Sequence, residues 1–280
     1  MRADNLIIVG LGLAAIGFAL AVIVRWHGLP TRSSPIVAPE GKQVRNVAFA
    51  TAGWSLAAVL AAGAVAGLLV GGLVGRLVMR IAAAVSEPEV QGRLTEADEL
   101  IGEITFSGTA AFMIFVGLFG GVVAAGLYLL VRPWLPGSAL ASGAMIGIVV
   151  MGLFGPGDPL DPENVDFALL SHDALSVVMI VGASLLFGLA FAALAARFDV
   201  LARSSSRWRY LMLPAFAVVL FPPIGLMVVA YLAGRTFLPN RLGPLLARRP
   251  VQVVGRVLLC VLVAVMAVRL VIAAVDIIGL

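Results

Sequence analysis

The stretch GAVAGLLVGGLVGRLVMR, residues 63–80, decides how this chain is built. Gly63, Gly67, Gly71 and Gly75 recur every four residues. On an α-helix that step is about 6 Å of rise and slightly more than one turn, so the glycines form one nearly straight stripe. A stripe without side chains lets another backbone come close, which is how helices associate in lipid, where apolar burial gives little drive. Arg76 and Arg80 follow at the same spacing and share one helix face beside the stripe. They have two possible roles: anchors of the helix end at the headgroups, or an inward-facing basic pair that holds an anionic ligand or an acidic partner helix.

Composition places the rest of the chain in the same setting. Of 280 residues, 61% are hydrophobic and 12% charged, and the mean hydropathy is +1.09. Soluble domains have about 45–50% apolar and about 25% charged residues. Repeated apolar runs of about 20 residues identify an all-α, polytopic transmembrane helix bundle. Barrel strands would alternate apolar and polar residues, and these segments do not. The net charge of +4 is no nucleic-acid footprint, because the basic residues lie in short loops, where they set topology. Cys260, the single cysteine, leaves no internal disulfide or CxxC site.

About seven crossings are expected, at about 6–24, 47–85, 110–131, 138–154, 174–196, 210–233 and 251–274, in one integral membrane domain spanning 1–280. The first is too long for a signal peptide and no small-residue cleavage site follows it. Residues 95–105 pattern as a short amphipathic extramembrane helix, opened by the Thr95 and Asp98 capping pair. Small residues recur at four-residue spacing elsewhere, in Gly117 with Gly121, Gly143 with Gly147, and Ser184, Gly188, Ala192 and Ala196. Pro222 and Pro223 interrupt the sixth segment and predict a kink, a re-entrant hairpin or a pair of half-helices.

Arg25, Arg32, Lys42 and Arg45 follow the first segment, against Arg2 alone before it, which puts the N-terminus outside the cell membrane. The Arg, Ala, Gly and Val bias reads as a GC-rich coding habit and suggests a bacterial inner membrane. Seven crossings leave one conflict. The sixth loop, with Arg235, Arg241, Arg248 and Arg249, then falls outside although it is basic. A re-entrant sixth segment would return it to the cytoplasm and leave six crossings. The same threading puts the second and fourth loops, which hold 11 of the 15 acids, on the outer face.

Candidate site residues follow from these patterns. Arg76, Arg80, Glu103 and Arg269 are ligand or ion-pair candidates, with Asp276 a possible partner for Arg269. Asp158, Asp161, Glu163 and Asp166 could supply oxygen ligands to a cation, though not in EF-hand spacing. Gly63, Gly67, Gly71 and Gly75 are packing positions. The two histidines, His27 and His172, sit in loops, so axial haem ligation has no support, and zinc-protease, P-loop and dinucleotide motifs are absent. No cofactor is expected, and no catalytic residue is assigned. Three functions stay open: an interaction or scaffold subunit of a membrane assembly, a transporter or channel for a small ion or an anionic or lipid-like solute, and a metal-dependent enzyme acting on lipid. The expected partners are membrane lipid and other membrane subunits or further copies of the chain.

Overall fold

The computed structural model describes residues 3–26, 42–86, 92, 105–157, 159–161, 173–204, 206–220, 225, 228–233, 245–246 and 248–279. Described residues form helices and turns, without a strand. In chain order they are α1 (Ala3–Trp26), α2 (Lys42–Ala66), α3 (Gly75–Val85), α4 (Phe106–Phe112), α5 (Phe119–Val131), α6 (Ala139–Phe154), α7 (Asp173–Ser204), α8 (Ser206–Met212) and α9 (Arg249–Ile278). A π-helical turn, Gly67–Val74, joins α2 to α3, and a second, Met113–Leu118, joins α4 to α5. Six helical stretches are long and apolar enough to cross a membrane: Val9–Trp26, Phe49–Val85, Phe106–Val131, Ala139–Gly157, Ala174–Ser204 and Arg249–Ile278. The chain is therefore an all-α, multi-pass membrane bundle, as its composition predicts.

Local signals account for several helix ends. Thr105 caps α4 through its hydroxyl, which accepts the Gly108 N–H at 3.1 Å. Ser138 does the same for α6 with the Ala141 N–H. Each hydroxyl satisfies one of the backbone donors that a helix start leaves open. Pro250 enters α9 in its first turn, where no intrahelical N–H is needed. Gly279 closes α9 in the left-handed region, at φ 72°.

Helix α7 is central, packed by α1, α2, α6 and α9. Its interior face is almost all alanine and phenylalanine, with Ala190, Phe191, Ala192, Ala193 and Leu194 buried. Tyr128 of α5 meets Phe191 edge-on, with ring centroids 5.3 Å apart. Helices α1 and α9 lie at the margin, each with only 22% of its most apolar stretch buried.

Contacts between helix ends fix the threading. Trp26 at the end of α1 lies under Arg197, Trp54 near the start of the Phe49–Val85 span lies under Arg209, and Arg132 beyond α5 reaches both Ser55 and Asp199. The Trp134 ring in the following turn lies on Gly255, early in α9. These ends therefore share one face of the bundle. At the other, Leu270, Ala273 and Ile277 of α9 pack with Met151, Leu160 and Val177. Helix α7 therefore ends and α9 begins on the same face.

Six candidate spans are described where about seven are expected. Within 210–233 the described residues form α8, a 3-10 helix at Leu213–Leu220 and a helical piece at 228–233. The apolar content suggested a crossing, but length and hydropathy do not say on which face a segment ends. Arg248 and Arg249 stand on the same face as Arg132 and Arg203. Pro222, Pro223, Arg235, Arg241 and the amphipathic helix expected at 95–105 lie outside the described residues.

Candidate functional site

The glycine stretch builds the closest helix contact in the molecule's second and third spans. A Cβ on Gly63 would collide with the carbonyl of Gly121, and one on Gly67 with the carbonyl of Gly117. The reverse also holds, since a Cβ on Gly117 would lie 2.6 Å from the Gly67 oxygen. Backbone meets backbone at both positions, so glycine is required on both sides. The stripe then changes register. Gly71 is only half-buried, and its Cβ would meet the Gly117 Cα at 3.3 Å. Gly72 is buried instead, and its Cβ would lie 2.7 Å from Met113 Cγ.

The π turn explains the slip. The Gly75 N–H donates to the Val70 carbonyl, five residues back, so one extra residue occupies the turn. Gly67 is followed on the contact face by Gly72 rather than Gly71. The facing helix makes the matching adjustment, with the Phe119 N–H donating to the Ile114 carbonyl. Strict spacing of four assumes an unbroken α-helix, and the only sequence sign of the change is the doubled Gly71-Gly72.

A second close contact joins α6 to α7. A Cβ on Gly143 would lie 2.7 Å from the Gly188 oxygen, and the Ser184 hydroxyl donates to the Gly147 carbonyl at 3.1 Å. Most of the small-residue positions singled out in sequence are thus consumed inside the bundle.

Arg76 is half-buried, 5.7 Å above the Phe112 ring, with Nη1 3.9 Å from Met79 Sδ. From Phe112 to Arg132 the chain rises about 30 Å. A hydrocarbon core is also about 30 Å thick. Arg76 and Arg132 therefore mark opposite borders, and Arg80 lies one turn beyond Arg76. The Nε of Arg80 is buried, with no hydrogen-bond partner among the described residues.

Arg269 and Asp276 are both exposed on α9. Arg269 stands about 20 Å along the helix from Gly255, hence about 10 Å short of the far border. Asp161 is half-buried near the fully buried Leu160. Glu103, Asp158, Glu163 and Asp166 lie outside the described residues. Among the described residues no three His, Cys, Asp or Glu side chains gather as a metal site.

The best-developed polar constellation was not anticipated. Asp199 and Arg132 face each other at 3.6 Å, each side chain 11% exposed. Arg203 donates to Asp199 through Nε at 3.2 Å, and Arg132 Nη1 donates to the Ser55 hydroxyl at 2.8 Å. The Arg132 guanidinium also lies 5.9 Å from the Tyr128 ring centre. One carboxylate between two guanidiniums thus ties α2, α5 and α7 together at the arginine-rich face. The group holds no nucleophile paired with a base, and its geometry is that of a clamp. Its one sequence signal is that Asp199 is the sole acid between Asp173 and Asp276, four residues before Arg203. The Arg132 partner, remote in sequence, carries no such signal.

Comparison of the chain with known protein families, with curated proteins and with solved structures finds no match.

Proposed function

We propose that this chain is a non-catalytic subunit of a membrane assembly, in which α9 packs against another membrane helix. The observation that carries this reading is Arg269. It is exposed on a marginal helix and lies about 10 Å inside the hydrocarbon layer. A charge at such depth is costly unless it is paired or reaches the border. Side chains on a helix tilt toward its N-terminus, which for Arg269 is away from the nearer border. An acidic or hydrogen-bonding residue of a neighbouring helix would satisfy it. Helix α1 supports the same reading, because Gly10, Ala14, Gly17 and Ala21 are all exposed and lie along one side of it. Such small residues mark helix contact faces in lipid. The internal glycine zipper does not add to this support, since its contacts are already made within the chain.

The positive-inside rule orients the subunit with its Arg132 face in the cytoplasm of a bacterial inner membrane, and both ends of the chain outside. A second reading, transport of a small ion or anionic solute, draws on the short helical pieces described between α7 and α9, at Ser206–Met212, Leu213–Leu220 and 228–233. The assembly reading is preferred because the interior helix contacts are backbone-close and their side chains are mostly alanine and glycine.

Native mass spectrometry of gently extracted protein tests the choice. A stoichiometric partner or a defined oligomer that is lost in Arg269→Leu is expected. A monomer in both the parent and the variant would overturn the assembly reading.

A further inference from the structure

On the arginine-rich face, a cleft of about 310 Å³ opens between the turn after α5, helix α6 and the first turns of α9. Trp134 and Arg256 line its outer part, and Pro136, Met145, Leu259 and Cys260 its apolar wall. The Arg256 side chain is exposed, with no carboxylate at ion-pair distance among the described residues. The Trp134 indole edge carrying Nε1 is packed on Gly255 and shielded from solvent, so the ring forms the wall of the mouth. Trp134 lies two residues beyond Arg132, at the membrane border, so the cleft has a polar mouth at headgroup depth and an apolar side running inward.

We propose that this cleft seats one anionic phospholipid, with its phosphate on Arg256 and one acyl chain along Met145, Leu259 and Cys260. The ligand is read from the order of the lining. A free anion would use the mouth and leave the apolar wall bare, and a neutral lipid would leave Arg256 uncompensated. A phosphate on a hydrocarbon tail matches both parts. Basic pockets between membrane helices hold lipid headgroups in this way. Arg248 and Arg249, two turns before Arg256 and exposed, add positive potential at the mouth. The site is independent of whether α9 also meets another subunit.

The test places the full chain in nanodiscs of mixed phosphatidylglycerol and phosphatidylcholine and reads retained lipid by native mass spectrometry. The parent protein should retain phosphatidylglycerol in preference to phosphatidylcholine. Arg256→Gln should lower that retention by about fivefold, the effect of one arginine at an anionic surface. Trp134→Phe, which keeps the packing and removes an N–H sealed against Gly255, should leave it unchanged. Arg25→Gln, a charge change on the same face away from the cleft, should leave it unchanged. Equal retention in Arg256→Gln, or an equal loss in Arg25→Gln, would overturn the proposal. Displacement of the lipid by excess inorganic phosphate would overturn the lipid assignment and mark a free-anion site.

Discussion

Helices α2 and α5 are joined in two different ways along their length. Towards the middle of the membrane, Gly63 and Gly67 touch Gly121 and Gly117 with no side chain between them. At the arginine-rich border, Ser55 and Arg132 are joined through a hydroxyl and, by way of Asp199, to a third helix. The difference follows solvent. In hydrocarbon, close approach recovers dispersion and avoids burying polar groups, so the contact is made of backbone. At the border, water and headgroups lower the desolvation penalty of charges, and a guanidinium can be spent on orientation. Glycine sets how near the helices come, and the ion cluster sets which ends are aligned.

The largest effect should come from filling the glycine contact. Gly117→Leu forces a side chain into the Gly67 carbonyl and should destabilise the fold by more than about 3 kcal/mol, beyond ordinary overpacking. Unfolding in detergent, followed by circular dichroism, would register it, and a variant as stable as the parent would refute the contact. Removing the shared carboxylate comes next. Asp199→Ala removes the carboxylate that the nearly buried Arg132 faces and should cost about 3 kcal/mol. The same denaturation assay measures it, and the loss should be smaller if Arg132 is also replaced by Met.

The register of the π turn predicts a sharper contrast between adjacent residues. Gly72→Ala should destabilise by about 1–2 kcal/mol through overpacking against Met113. Gly71→Ala should be close to neutral, because alanine's helix propensity gains about 1 kcal/mol against a mild crowding of Gly117. Equal effects would mean that the helix runs through this region without the extra residue. The smallest effect belongs to Arg203→Ala. This arginine is 35% exposed at the end of α7 and four residues from Asp199, so about 0.5 kcal/mol is expected. A thermal shift larger than that of Asp199→Ala would reverse the assigned roles of the two arginines.

What could be read in the sequence follows the same division. Gly63, Gly67, Gly117, Gly121, Gly143 and Gly147 were all visible, because packing in lipid is written as a local repeat on one helix. The expected span at 47–85 matches the continuous helical stretch of Phe49–Val85. The span expected to end at residue 196 runs on to Ser204, because the polar residues Asp199 and Arg203 satisfy one another and need not end the helix. Gly72 escaped because a π turn breaks the period on which the reading depends. The Arg132 link to Asp199 escaped because it joins residues far apart in the chain, and no local pattern encodes it. The sixth segment kept its alternatives open for a further reason: a hydropathic stretch has no direction until its neighbours are placed.

The paired π turns also have an angular consequence. Each residue of an α-helix advances the face by about 100°. The turn at Gly67–Val74 absorbs one residue more than an α-helix of equal turns would. Without it, Arg76 would point about 100° away from the Phe112 ring, and Arg80 would rotate with it. The direction of both arginines at the far border is therefore set by one inserted position several residues upstream. A single-residue deletion at Gly71 would restore a plain α-helix and leave both arginines aimed as they are, whereas α-helical hydrogen bonding at full length would swing the charged face round without altering either charge.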